Sequence, residues 1–155
     1  MEAYLVDDLK GLVENPMGQT FADSFVVFDL ETTGFSAAKN KIIEIGAVKV
    51  VNGSTERFST FVNPKVPIPY EIEQLTHITD DMVLDAPMIH EILPQFMEFC
   101  QNAVMVAHNA DFDMSFIRHN CDLLGLECEK TVLDTLALAR VLLPSLNRFK
   151  LNTIA

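Results

Sequence analysis

Residues 28–34 read FDLETTG, and two carboxylates, Asp29 and Glu31, stand two positions apart directly behind the apolar run SFVVF. Side chains alternate faces along a β-strand, so residues i and i+2 point the same way and both acids meet on one side of a sheet. Like charges on a buried strand raise each other's cost. Such a pair persists where something positive sits between the carboxylates, or where both reach water at the strand end. Any fold for this chain must therefore bring the end of that strand either to a cation site or to the surface.

The chain has 155 residues, 49% of them hydrophobic, which suits a single globular domain. Residues 2–23 are polar and broken by NPMGQ, so 1–23 read as a linker or edge segment and the domain proper as 24–155. FVVFDL (25–30) is short and almost continuously apolar, as expected of a central strand covered on both faces. IIEIGAVKV (42–50) reads as its neighbour, NGS (52–54) as a turn and TERFSTFVN as a third strand, together a meander. Thr79 ahead of Asp80 and Asp81 is a helix N-cap signal, and Pro87 is expected in the first turn of MIHEILPQFMEFC, with a kink at Pro94. AVMVAHN (103–109) reads as a fourth strand and DFDMSFIRHNCDLLG as an amphipathic helix, with Phe112, Phe116, Leu123 and Leu124 inward and Gly125 as C-cap. TVLD is a short fifth strand, TLALARVLL a helix stopped by Pro144, and KLNTIA the start of another. Antiparallel strands followed by strand–helix alternation make an α/β mixed five-stranded sheet flanked by helices, with the ends of the first and fourth strands close together.

No apolar run approaches the roughly 18 residues of a membrane span, and the N-terminal MEAYLVDDLK lacks a signal-peptide pattern, so no membrane partner and a cytoplasmic location are expected. Cys100, Cys121 and Cys128 lack a C-x-x-C pair and read as buried, reduced thiols. The net charge of −11 argues on its face against a nucleic-acid partner. A metal-dependent nuclease, however, also needs clustered carboxylates and can leave strand binding to a neighbouring domain.

The second motif, HNADFD (108–113), falls at the end of the fourth strand, beside the acids of the first. Asp113 could turn back toward Asp29 and Glu31, and three hard oxygen ligands at one rim suit Mg²⁺ or Mn²⁺. Plain readings stand beside this one: Asp111 or Asp113 as a helix-capping acid, and Asp29 with Glu31 as a solvated strand end.

The ordered set FDLETTG, IIEIGAVKV, LTHITDDM, HNADFDMSFI, LDTLALAR and RFKLNTIA resembles the DEDDh exonucleases of the ribonuclease H-like fold over residues 24–155. YLVDD and NPMGQTF extend the likeness to the proofreading exonucleases carried in DNA polymerase III α chains of the PolC type. The resemblance implies a 3′→5′ exonuclease that removes nucleoside 5′-monophosphates from DNA 3′ ends. It makes Asp29, Glu31 and Asp113 catalytic ligands of two Mg²⁺ or Mn²⁺, with Asp113 preferred to Asp111. It also places Thr32, Thr33, Gly34, Thr76, His77, Ile78, His108 and Asn109 near substrate, and implies as partners the DNA end and the other domains of the polymerase. In the family the general base is a His of an H-x-x-x-x-D motif that also supplies the last acidic ligand. Of His77, His90, His108 and His119 only His108 has an Asp five residues on, and that is Asp113 of the second motif, so no separate later H-x-x-x-x-D motif is present. The chain is thus expected to be C-terminally incomplete, with base and last ligand beyond Ala155, and to be inactive as it stands. His108 is expected as a structural hydrogen-bonder, NRFK (147–150) as a basic loop, and only an exposed phenylalanine as a base-stacking group. Other DEDDh enzymes acting on RNA or free single-stranded DNA, and a binding or scaffold module without turnover, remain alternatives.

Overall fold

The computed structural model describes residues 13–14 and 24–143. The strands are β1 (Val13–Glu14), β2 (Ser24–Thr32), β3 (Ile42–Val51), β4 (Ser54–Phe61), β5 (Val104–Ala107) and β6 (Val132–Asp134). The helices are α1 (Tyr70–Thr76), α2 (Asp80–Val83), α3 (Ile89–Phe99), α4 (Ala110–Leu124) and α5 (Thr135–Leu142). The sheet order is β1-β6-β5-β2-β3-β4: β2 is antiparallel to β3 but parallel to β5, and β5 is parallel to β6. The five expected strands are all present, and β1 adds a sixth, antiparallel to β6 at the sheet edge. The expectations for Pro144, for NRFK and for a helix starting in KLNTIA lie outside the described residues.

The β2–β3–β4 meander closes through Asn52 and Gly53, both at positive φ (50° and 82°), the backbone of a primed two-residue hairpin turn. Along β2, Val26, Phe28 and Leu30 point into the core, where Leu93 and Phe96 of α3 and Met114, Phe116 and Ile117 of α4 meet them. Phe96 packs its ring 5.8 Å from Phe28 and 5.4 Å from Phe58. A second, smaller cluster joins Ile43 of β3 to Ile68, Ile72, Ile78 and Val83 around α1 and α2.

Three local expectations need correction, and one helix had no expectation. β2 is not covered on both faces: Val27, on the face away from α3 and α4, is 46% exposed, although its apolar run gives no sign of this. Pro87 precedes the N-cap Met88 and so lies outside the first turn, while Glu91 reaches back to accept from the Met88 amide at 2.8 Å. Leu123 and Leu124 do not face inward: Leu123 is 67% exposed, because the buried stripe of α4 runs through Ala110, Asp113, Met114, Ile117 and Cys121 and leaves both leucines off that face. Finally, α1 arises in EIEQLT, a stretch of good helix formers behind Pro69 that carries no side-chain capping signal.

Candidate active site

Parallel pairing with β5 covers only Phe25–Val27 of β2, so the last residues of β2 extend past their shorter neighbour. That leaves backbone donors to be satisfied by other means. Asp113, in the first turn of α4, fills one of them: its Oδ1 accepts from the Leu30 amide at 3.3 Å. This places the Asp113 carboxylate against the residue that separates Asp29 from Glu31. Asp113 is buried on the same helical stripe as Met114 and Ile117, whereas Asp111 faces solvent.

The sharp entry into α4 makes this approach possible. Asn109 adopts a left-handed conformation (φ 59°), one that Asn tolerates better than most residues. Its amide donates to Asp134 Oδ1 at 2.9 Å, and the same oxygen accepts from the Leu136 amide at 2.9 Å, capping α5. One carboxylate thereby fixes both the β5–α4 turn and the β6–α5 junction. His108 Nδ1 lies 3.1 Å from Thr135 Oγ1, and that hydroxyl donates to Ala107 O at 3.4 Å. His108 is thus engaged in the scaffold under the turn.

The electrostatics follow from this crowding. Burial, then Asp29, Glu31 and Asp134, push Asp113 up to about 7, with only the Leu30 amide pulling it down. Burial raises Asp29, again against the Leu30 amide. Glu31 is raised by burial, Asp29 and Glu44, and Glu44 by burial and Asp29. Glu44 and Asp134 therefore belong to the acidic cluster, although motif reading passed them over. Glu44 could have been found from the hairpin register, which sets it opposite Glu31, and Asp134 from its place between a strand and a helix as an N-cap acid. The β2–β3 register shifts between Glu31 and Thr32, an irregularity of the kind that re-aims side chains beside functional sites.

Thr32 and Thr33 are buried and hold the following loop: Thr32 Oγ1 donates to Gly34 O at 2.6 Å, and Thr33 Oγ1 accepts from the Lys41 amide at 2.9 Å. A Cβ on Gly34 would stand 2.5 Å from the Asn40 side chain, so a larger residue would displace Asn40, whose Oδ1 accepts from the Ser36 amide at 3.0 Å. Phe35, next in sequence, is 81% exposed and touches Phe112 edge-on at 6.4 Å between centroids. Thr76 ends α1, and His77 and Ile78 begin the α1–α2 connection. Thr76 Oγ1 donates to Ile72 O at 2.8 Å, His77 is an exposed C-cap at φ 60°, and Ile78 is buried in the smaller cluster. A cleft of about 530 Å³ opens across β2, β3 and β5, with an apolar floor that includes Val27, Ala47 and Val106 and with Asp29, His108 and Thr135 among its polar lining.

Among the described residues, no three of His, Cys, Asp and Glu already stand in a geometry that would hold a metal ion. The donor set nevertheless fits one. Asp29, Glu31 and Asp113 are hard oxygen donors raised by burial, Glu31 also by Asp29 and Asp113 by both of the others, and a divalent oxygen-preferring cation would relieve that repulsion.

A family model described as an exonuclease, RNase_T, matches residues 26–155. The DNA polymerase III PolC-type of Clostridium perfringens is 52% identical over 156 residues, covering 100% of this chain and 11% of the relative. That of Caldanaerobacter subterraneus subsp. tengcongensis is 51% identical, again over 100% of this chain and 11% of the relative. The chain therefore spans about a tenth of the length of these curated relatives. Among solved structures, Exonuclease X in complex with 5′ overhanging duplex DNA is 30% identical, with a TM-score of 0.64 over 81% of this chain and 68% of that one. E. coli Exonuclease I with a dA16 oligonucleotide superposes with a TM-score of 0.68 at 14% identity over 77% of this chain and 29% of that one, a likeness of fold alone.

Proposed function

Because the chain belongs to the RNase_T exonuclease family, whose model spans residues 26–155, we propose that it is the exonuclease region of a PolC-type DNA polymerase III. In this reading it removes nucleoside 5′-monophosphates from DNA 3′ ends, as a proofreader. The single observation that carries the proposal is the Asp113 carboxylate seated on the Leu30 amide, between Asp29 and Glu31.

Asp29, Glu31 and Asp113 would hold two Mg²⁺ or Mn²⁺. When bound, such ions supply a nucleophile at neutral pH by lowering the pKa of water, and charge stabilisation at the leaving 3′ oxygen. The chain's own part is to place three carboxylates at one rim and keep them there through the Leu30 amide and the packing of α4. Asp134 positions the Asn109 turn from which α4 starts. Thr32, Thr33 and Gly34 shape the loop beside the acids, and the exposed ring of Phe35 gives the terminal base a face on which to stack. Asn109, exposed at the turn, is a candidate substrate contact, as are Thr76 and His77; Ile78 serves packing first. His108 is a positioning residue, given its contact with Thr135.

The substrate is a DNA 3′ end and the working partner is the rest of the polymerase chain, with residues 1–23 as the connection and 24–155 as the exonuclease region. The solved complex of Exonuclease X with duplex DNA supports a DNA end as substrate. No helix among the described residues is long and apolar enough to cross a membrane.

The test uses the full polymerase chain and labelled DNA with either a mismatched or a paired 3′ terminus. Digestion should require Mg²⁺ or Mn²⁺, stop with chelator and run faster on the mismatch, since a frayed end costs less to unpair. Asp29→Ala and Asp113→Ala should each abolish it. Undiminished digestion by either variant would sink the site assignment, and equal rates on the two ends would remove proofreading while leaving exonuclease chemistry in place.

A further inference from the structure

A cavity of about 140 Å³, separate from the cleft over β2, lies between the residue that leads into β3, the turn after β4, the N-terminus of α3 and the second half of α4. Its polar lining is Lys41, Asn63, Lys65, His90 and Asn120, and no carboxylate is among the lining residues. In a chain of net charge −11, that is a local reversal of sign.

The donors around this cavity are held in place by the fold. The Asn63 amide donates to Pro87 O at 2.9 Å and its Nδ2 to Leu84 O at 3.0 Å, which ties the turn after β4 to the segment ahead of α3. Asn63 Oδ1 accepts from the Lys65 amide at 2.9 Å and holds Lys65 in a left-handed conformation (φ 59°) that lysine seldom adopts. The Ile89 and His90 amides, at the start of α3, have no acceptor among the described residues, as the geometry of a helix N-terminus entails. Glu91 takes the Met88 amide and does not line the cavity. Asn120 is only 8% exposed. One of its Nδ2 hydrogens goes to Phe116 O at 2.8 Å, and neither the second hydrogen nor Oδ1 has a partner among the described residues. A buried amide with half of its bonding unused, in the wall of a cavity, points to a polar ligand that completes it.

We propose that this cavity is a phosphate subsite for the nucleic-acid strand whose 3′ end lies at the acids, an inference that rests on the exonuclease reading above. Lys41 and Lys65 supply charge, the Ile89 and His90 amides supply directed donors backed by the α3 dipole, and Asn120 donates its remaining N–H from the wall. At about 140 Å³ the cavity falls short of the roughly 300–1,000 Å³ that encloses a whole small molecule. It suits one tetrahedral oxyanion on a chain that continues outside. Its position agrees with this. The Thr33 amide donates to Lys41 O at 2.8 Å and the Lys41 amide to Thr33 Oγ1 at 2.9 Å, so Lys41 stands opposite a residue two places past Glu31, roughly 7 Å of strand. At a rise of roughly 3.4 Å per nucleotide, that distance spans about two nucleotides. The subsite thus grips the strand behind its terminal nucleotide and sets the direction in which the end enters the acidic rim. One contact of this kind adds to an affinity that other groups must also supply.

Two readouts test the subsite. Inorganic phosphate, titrated in chelator into the isotope-labelled 155-residue chain, should shift the amide resonances of Ile89 and His90 and spare those of Asp29 and Glu31. In Lys41→Gln/Lys65→Gln these shifts should shrink severalfold. In the full polymerase chain the same double variant should raise KM for a single-stranded 3′ end roughly tenfold with kcat retained. It should also flatten the slope of log(kcat/KM) against log salt by about 0.7, the share of one phosphate on a single strand. A neutral methylphosphonate at the second or third linkage from the 3′ end should cost the parent a similar factor and the double variant nothing more. Lys39→Gln, which removes a lysine that does not line the cavity, should match the parent. An active parent whose KM is unmoved by the double variant, or moved equally by Lys39→Gln, would overturn the subsite and leave the exonuclease reading standing. Phosphate shifts without any effect on KM would mean an adventitious ion only, and would overturn it too. A parent that digests no DNA would sink the exonuclease reading, and the strand's place in this cavity with it.

Discussion

Asp113 carries the heaviest electrostatic load of the described acids, and the sign of its effect on stability can be worked out. Its folded-state pKa of about 7 stands above the ordinary 3.8, so around neutrality the folded chain keeps a proton that the unfolded chain gives up. Its contribution to metal-free stability is therefore most favourable in acid, declines as pH climbs from 3.8 to about 7, and is flat beyond. Asp113→Asn retains an oxygen to accept from the Leu30 amide and discards the charge. Melting curves in chelator should show this variant above the parent by a few degrees at pH 8, with the gap narrowing below about pH 7 and closing only as pH falls toward 3.8. A variant that melts below the parent at pH 8 would mean that the site tolerates the charge and that the amide bond matters more. The same variant should bind Mn²⁺ more weakly by at least the roughly 10–100-fold seen when a supporting ligand partner is lost, read by calorimetry.

At the scale of an element, α4 decides whether the site exists, because its inward stripe delivers Asp113 and its packing holds it there. Phe116 is fully buried in that stripe's core. Phe116→Ala should cost about 3–5 kcal/mol in denaturant unfolding, while Leu123→Ala, at a position 67% exposed, should stay within about 0.5 kcal/mol. Similar losses from the two would refute the assignment of the buried face. This is also where sequence reading reached its limit. The helix was legible from its spacing and from Gly125, and the juxtaposition of β2 and β5 from the alternation of strands and helices. The inward face was not, because hydrophobicity ranks Leu123 and Leu124 above Asp113, and only the register of the helix against β2 makes an acid the buried residue. Glu44 escaped for a related reason: its partner Glu31 lies across a hairpin, so the pair is visible only once the strands are aligned. Helix α1 was missed because it starts behind a proline without a capping side chain.

For the whole molecule, the proposed function sets a polyanion against a chain of net charge −11. Asp29, Glu31, Glu44, Asp113 and Asp134 converge at one end of the sheet, so an incoming phosphodiester meets repulsion that grows as it nears the acids. Basic side chains usually supply the affinity for a phosphate backbone, and they leave a steep dependence on monovalent salt. In the proposed function a bound divalent cation would serve association as well as chemistry, because it would reverse the sign of the local field. The 155-residue chain should accordingly show no binding to a fluorescent single-stranded oligonucleotide at about 0.15 M salt in chelator, where screening acts over roughly 8 Å. Weak binding should emerge with Mn²⁺ and vanish in Asp29→Ala. The full polymerase chain, with other surfaces to contribute, should bind the same strand in chelator with the steep salt slope of lysine and arginine contacts. Tight binding by the 155-residue chain in chelator would show that it carries a strand-binding surface of its own, and the division of labour between acidic site and basic neighbours would then have to be abandoned.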